Sequence, residues 1–348
     1  MKKKLLFIGG SLNQTTMMHQ ISQYFTDCDC YFSAFYTTGF IDFIVRKGLL
    51  DFTILGGRFR ELTENYFREN HLATDYKARK QQYDLVFTCQ DLLIPNNIST
   101  TKIVLVQEGM TEPESLTYHL VRRLSLPRWL ASTAMTGTSN KYDLFFVASD
   151  GYRDLFISKG ADPAKIRVTG IPNFDHAAQY LNNDFPIKNY VLAATSDRRE
   201  TLNFENRKKF IEKVMNIAAG RQVIFKLHPN ENWERATGEI KKYAPGALVY
   251  TNFNINPLIA NCDVLVTIHS SVVYIGMALG KEVYSDLNMD ELKKLTPIQN
   301  NGTSANAIAG ISRQLLLEDY DKSLIKQHEA ISEARQLYHY SHLDLPYS

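Results

Sequence analysis

The chain has little of several things that place a protein in a class at a glance. Four cysteines stand among 348 residues, at Cys28, Cys30, Cys89 and Cys262. They are too few and too scattered for a disulfide framework, which excludes a small stapled secreted scaffold and fits a reducing cytoplasm. Cys28 and Cys30 form a lone C-x-C with no second pair and no clustered histidine, so they read as residues of an alternating strand rather than metal ligands. No run approaches the ~20 apolar residues that span a bilayer, so no helical integral membrane protein is expected. An excess of one charge sign is also missing: 39 Lys and Arg stand against 37 Asp and Glu, a formal +2. No global basic field is available to hold nucleic acid, and an anionic surface would have to be met by a local patch. Internal repeats and low-complexity tracts are absent. The opening Met1 to Lys4 followed by Leu5 to Ile8 imitates a signal peptide, but Gly9-Gly10-Ser11 ends the apolar run too early, and the segment reads as a first strand.

What is present is a rhythm. Short runs rich in Val, Ile, Leu and Phe each pass through a polar or glycine turn into a helix-period segment, the pattern of buried parallel strands. Leu5 to Gly9 leads through Gly10-Ser11-Leu12-Asn13 into a helix reaching Tyr24, and further strands are expected at Cys30 to Tyr36, Phe52 to Leu55, Leu85 to Cys89, Ile103 to Val106, Leu144 to Ala148 and Arg167 to Thr169. These make a doubly wound, Rossmann-like first domain over 1–178. The polar stretch Gln179 to Asn189, with Asn182-Asn183-Asp184 and Pro186, reads as a hinge. A second α/β domain over 190–325 follows, with strands at Tyr190 to Ala194, Val223 to Leu227, Leu248 to Tyr250, Val264 to Thr267 and Glu282 to Tyr284, and helices such as Asn206 to Ala219 and Val272 to Leu279. After Ser304 the pattern is helical to about Tyr338, and 326–348 is expected to cross back over the first domain. Two doubly wound domains facing each other bring the carboxyl ends of both sheets to one cleft, the expected ligand site.

The densest chemical signal is Phe225-Lys226-Leu227-His228-Pro229-Asn230-Glu231, where an apolar strand ends at a His-Pro pair. Proline stops the ladder and turns the chain, so His228 is presented at the strand's carboxyl end, as a ligand contact or as a structural hydrogen-bonding group. Lys226 shares the strand face of His228, which sets it beside a bound phosphate or at the surface. The second signal, Val264 to Ser271, runs straight into the helix ended by Gly280-Lys281. Ser270 and Ser271 offer hydroxyls and free N–H groups for an anion, or serve as plain N-caps.

The order of Val168-Thr169-Gly170-Ile171-Pro172 with Asp175, then Tyr190 to Arg199, then Lys226-Leu227-His228-Pro229, then His269-Ser270-Ser271 with Gly280-Lys281 resembles GT-B fold glycosyltransferases. It is similar to the bacterial families with paired His-Pro and Ser-Ser motifs: sialyltransferases, Kdo transferases of capsule and lipopolysaccharide assembly, and CDP-glycerol glycerophosphotransferases of wall teichoic acid synthesis. The resemblance is carried mainly by 165–285. It implies two Rossmann-like domains facing a cleft and a CMP- or CDP-linked donor. It further implies a saccharide or glycolipid acceptor, and places His228, Pro229, Ser270 and Ser271 on the donor phosphates and ribose. Thr195, Ser196, Arg198 and Arg199 correspond to a phosphate-facing loop; arginine suits a leaving phosphate, although Arg198-Arg199 also fits a solvated loop.

In the first domain, Ile103 to Val106 delivers Gln107-Glu108-Gly109 to the strand's carboxyl end. Metal-free inverting transfer needs a base for the acceptor hydroxyl, and Glu108 is the candidate, with Gly109 beside it on the acceptor side; Glu112, Glu114 and Asp91 are rivals, and capping of the next helix is the bland reading of Glu108. Gly9-Gly10-Ser11-Leu12-Asn13 is not a full G-x-G-x-x-G fingerprint, so no dinucleotide cofactor is expected. Gly9, Gly10, Ser11 and Asn13 read instead as acceptor-side lining where glycine lets main chain approach a sugar. With no compact His and carboxylate cluster beside the motifs, no metal is expected either. Tyr118 to Trp129 interleaves His119, Arg122, Arg123 and Arg128 with apolar residues, which fits either peripheral contact with a membrane or a solvated insertion. The rival enzyme on this fold is a UDP-N-acetylglucosamine 2-epimerase. That family carries Ser-Gly-Gly followed by paired glutamates where this chain has Ser270-Ser271-Val272-Val273-Tyr274-Ile275, without a carboxylate. A non-catalytic nucleotide-sugar-binding protein is the third reading.

Overall fold

Strands that are apolar on both faces need cover on both faces, and this chain supplies it by alternating strands with helices. In the computed structural model, which describes residues 2–47, 55, 57–112, 114–124, 126–200 and 205–317, the first part runs β1 (Lys4–Gly9), α1 (Leu12–Ser22), β2 (Asp29–Ala34), α2 (Phe40–Arg46), α3 (Gly57–Glu69), β3 (Leu85–Thr88), β4 (Lys102–Val106), α4 (Leu116–Arg123), β5 (Leu144–Val147), α5 (Asp150–Ser158) and β6 (Ile166–Val168). The second part continues with β7 (Val191–Ala194), α6 (Arg207–Ala218), β8 (Val223–Lys226), α7 (Trp233–Tyr243), β9 (Leu248–Tyr250), α8 (Ile255–Asn261), β10 (Val264–Thr267), α9 (Val272–Ala278), β11 (Glu282–Tyr284), α10 (Met289–Leu295) and α11 (Ser304–Leu317). Of the expected strand at Phe52 to Leu55, residues 52–54 lie outside the described residues, as does all of 326–348.

The strands form two parallel sheets, β2-β1-β3-β4-β5-β6 and β11-β10-β7-β8-β9. The expected doubly wound α/β architecture is therefore present. In each sheet the chain starts in the middle, winds to one edge and returns to the other, so the order reverses between β1 and β3 and again between β7 and β10. Contacts divide the chain into two compact units, one holding residues up to 105 with 141–144 and the part of α11 from Ala309, the other holding 106–140 and 145–308.

Within the second unit, side-chain alternation sorts the strand residues onto two faces. Val191, Ala193, Phe225, Val264 and Val266 pack with Phe210, Ile211 and Val214 of α6 and Ala236 and Ile240 of α7. Leu192, Ala194, Ile224 and Leu265 face the other way, against Leu258 and Ile259 of α8 and Ile275 of α9. Each such fully buried aliphatic contributes about 1.5 to 3 kcal/mol. The stretch read as a hinge contributes too: Phe185 is buried, with ring centroids 6.1 Å from Tyr190, 5.7 Å from Tyr250 and 5.5 Å from Phe253.

Candidate functional site

In an open parallel sheet, loops on either side of the reversal diverge to opposite faces and leave a crevice at the strands' carboxyl ends. In the second unit that point lies between β7 and β10, with β8 the next neighbour of β7. Register places Thr267 opposite Ala194 and Ala194 opposite Lys226, so the three loops leave the sheet level with one another. They carry Thr195 to Arg199, Leu227 to Glu231 and Ile268 to Ser271, the segments singled out by the sequence.

His228 is held by its own turn. Its ring Nδ1 accepts the main-chain N–H of Asn230 at 3.2 Å, its carbonyl accepts Trp233 Nε1–H at 3.0 Å, and its N–H donates to Thr195 Oγ1 at 3.0 Å. An imidazole whose Nδ1 accepts must, when neutral, carry its proton on Nε2. Burial pushes the ring below its ordinary pKa, against the pull of Asp197, whose carboxylate lies 3.6 Å from Nδ1. Burial thus favours the neutral ring, and in that state Nε2–H is its free donor.

Beneath it lies a charged network that the sequence did not reveal. Glu231, whose side chain is fully buried, accepts Thr195 Oγ1–H at 2.6 Å and lies 2.5 Å from Arg207 Nη2. Arg207, itself buried, also donates to Glu205 at 2.6 Å and to the Ser196 carbonyl at 3.3 Å, while Ser196 Oγ–H donates to Glu205 at 2.6 Å. Arg199 forks onto Glu239 with two bonds of 2.9 Å, so it is not a solvated loop residue. The hydroxyl protons of Thr195 and Ser196 are thus given to carboxylates. Lys226 is buried rather than at the surface, and its Nζ donates to the carbonyls of Leu227 at 2.6 Å and Thr251 at 2.8 Å. These three residues fix the loops from within.

On the third loop, Ser271 stands at the start of α9 with no side-chain cap bond, and Ser270 Oγ accepts from Val272 N at a long 3.4 Å. Simple N-capping therefore accounts for little of the pair. Two buried polar atoms of this segment, Thr267 Oγ1 and His269 Nδ1, have no hydrogen-bond partner among the described residues. Burial lowers the His269 pKa, and the positive charge of Arg198 lowers it further. Pro229 is exposed at the tip of the His-Pro turn.

Glu108 belongs to this same compact unit and lies half-buried after β4. Its carbonyl accepts Asn173 Nδ2–H at 3.1 Å, and a Cβ on Gly109 would lie 3.3 Å from the Phe174 ring, which in turn contacts Tyr274 of α9 at 5.9 Å between centroids. Ser115 caps α4, so Glu108 is not the cap of the next helix. Glu112 and Glu114 are exposed, and Asp91 is buried in the other unit. There Ser11 caps α1 by accepting from Gln14 N, Gln14 Oε1 accepts Gly10 N–H at 2.8 Å, and Asn13 is exposed. Gly9 permits close packing of α1, since a Cβ there would meet Thr15 Oγ1 at 2.5 Å. No group of three or more potential metal ligands occurs among the described residues. Asp27-Cys28-Asp29 has the Asp-x-Asp form, but it stands at the amino end of β2 and Asp27 is clamped by Arg313, which holds its carboxyl down at about 2.

Compared by sequence, the chain matches no family model and no curated protein. Compared by structure it has many counterparts. A Listeria monocytogenes protein provisionally named a UDP-N-acetylglucosamine 2-epimerase superposes with TM-score 0.58 at 14% identity, over 92% of this chain and 98% of that one. The Neisseria meningitidis UDP-GlcNAc 2-epimerase bound to UDP-GlcNAc gives 0.54 at 12% identity, over 90% and 100%. MnaA of S. aureus with UDP gives 0.53 at 12%, over 92% and 90%. The chain has a GT-B-like fold. At these identities the likeness extends to the fold alone.

Proposed function

We propose that this protein is a metal-independent glycosyltransferase that moves a sugar or polyol phosphate from a nucleotide-activated donor to a saccharide or glycolipid acceptor. In this reading 1–178 serves the acceptor and 190–325 the donor. The observation that carries it is the convergence of three loops at the β7/β10 reversal, with His228 locked in the tautomer that donates from Nε2. Donor phosphate oxygens accept that proton and those of Ser270 and Ser271, Arg198 adds charge, and Thr195, Ser196 and Lys226 keep the loops rigid so that little reorganisation accompanies binding. Glu108 takes the proton of the acceptor hydroxyl as the new bond forms. The family resemblance favours a cytidine nucleotide. Thermal-shift ranking of CMP, CDP, UMP, UDP and GDP tests this directly, and absence of stabilisation by all five removes the proposal. Glu108→Gln keeps shape without basicity, so donor affinity should survive while turnover falls roughly 10² to 10⁴-fold; near-normal turnover would pass the role to Glu112, Glu114 or Asp91.

The 2-epimerase reading is favoured by the names and ligands of the structural counterparts. Against it stands the stretch from Ser270 to Ile275, which offers no carboxylate for proton abstraction. Incubation with UDP-GlcNAc followed by proton NMR of the sugar tests the rival: appearance of the 2-epimer supports it, and an unchanged sugar counts against it.

A further inference from the structure

Helices on the outside of a globular unit ordinarily turn polar residues to solvent. α4 does the reverse. Its buried residues are Tyr118 and Val121, and Ser115 caps its start. At 3.6 residues per turn Leu116, Leu120 and Leu124 form one stripe on the side away from that buried pair, and they are 85%, 55% and 59% exposed. Leu126, Trp129 and Leu130 follow beyond the end of the helix and are exposed as well, so six of the eighteen large apolar residues exposed among the described residues fall within fifteen positions. The inner face is already satisfied: Tyr118 lies under the buried Lys159 at 5.6 Å, and Lys159 donates to the Ala134 carbonyl. The leucines are thus not a core face turned the wrong way.

Charge accompanies the stripe. Arg123 edges it on the exposed surface, Arg122 lies beyond with one bond to Tyr118 Oη at 3.4 Å, and Arg128 follows. From Leu116 to Tyr142 the sequence contains Arg122, Arg123, Arg128 and Lys141 and no Asp or Glu, while Glu112 and Glu114 precede the helix and Glu114 lies 3.8 Å from His119, so the positive charge gathers toward the carboxyl end of α4 and beyond it. In a chain of nearly zero net charge, this is a local basic and apolar field. Leucine and tryptophan side chains that enter the acyl boundary while arginines meet headgroup phosphates are what an anionic lipid surface selects.

We infer that α4 and the segment through Leu130 form a docking surface for an anionic membrane. This goes beyond the transfer reaction and does not depend on it. The test is sedimentation of the full chain with vesicles of phosphatidylcholine alone or with about one-third phosphatidylglycerol, at low and high salt. The wild type should bind the anionic vesicles and largely ignore neutral ones. Arg122→Gln with Arg123→Gln should weaken binding roughly fivefold per arginine at low salt. Leu116→Ser with Leu120→Ser and Leu124→Ser should weaken it at least about tenfold per leucine at either salt, with circular dichroism and Tm unchanged because the residues are exposed. Equal binding to neutral and anionic vesicles, no binding, or retention by the leucine variant overturns the inference. So does a wild-type dimer that the leucine variant converts to monomer, since the stripe would then cover a second copy.

Discussion

The role of His228 turns on one hydrogen bond. Because Nδ1 accepts from Asn230, the ring can offer only Nε2–H while neutral, and its burial lowers its pKa and favours that state. A phosphate bound at this ring would raise that pKa, so the complex would take up a proton and affinity for a nucleotide sugar should climb as pH falls through the raised pKa of the complex and level off below the lowered pKa of the free protein. His228→Gln should lose about 1 to 3 kcal/mol of affinity at pH 7 and flatten the pH dependence; isothermal titration at several pH values reads both, and a retained slope would assign it to another group. Glu231 is a different kind of residue, with its side chain fully buried between Thr195 and Arg207. Glu231→Gln leaves Arg207 with less compensation in the interior, and chemical denaturation should show a loss of about 3 to 5 kcal/mol. A loss under about 1 kcal/mol would mean that Glu205 alone satisfies Arg207.

At the level of elements, the strands were legible because each is a short run rich in apolar residues ended by a turn former, and all eleven strands among the described residues fall inside or within a residue of the expected segments. What the sequence hid was docking. Val168-Thr169-Gly170 reads in the sequence only as a strand end within the ordered motifs, and it seats the start of α11: Ser304 Oγ–H donates to the Thr169 carbonyl at 3.0 Å and Asp175 accepts Ser304 N–H at 3.0 Å. Burial pushes the Asp175 carboxyl up while the Ser304 bonds oppose it. These partners are more than a hundred residues apart, and no local pattern announces such a pairing. Gly170 has φ +75°, and a Cβ there would lie 2.5 Å from Ser304 Oγ. Gly170→Ala should therefore destabilise the second unit by about 1 to 3 kcal/mol, and Gly170→Ala with Ser304→Ala should recover part of that loss if the clash is its cause.

On the scale of the whole molecule, the sequence placed its candidate residues at strand ends but could not sort side chains that are open to a ligand from those that hold the loops. Thr195, Ser196 and Lys226 carry the same side chains whether their protons face a phosphate or an internal oxygen, and only the positions of Glu231, Glu205 and Thr251 decide between them. The two parallel sheets each have a reversal point, so the fold alone offers two crevices, after β1 and β3 and after β7 and β10. Hydrogen exchange distinguishes them. A nucleotide that binds only the folded chain at about 100 times its Kd adds about 2.7 kcal/mol to the unit that holds it, and the added protection concentrates in the amides that order around the ligand. Protection should rise in 195–199, 227–231 and 268–273, with 9–15 and 88–91 changing little. Chelator should leave that pattern intact, because no compact ligand cluster is found among the described residues and, in the proposed site, the helix start and Arg198 would supply the positive field. Protection confined to the loops after β1 and β3 would move the donor to the first unit. Protection that vanished with EDTA and returned with magnesium would mean that a cation, rather than Arg198 and the helix start, balances the charge of the donor phosphates.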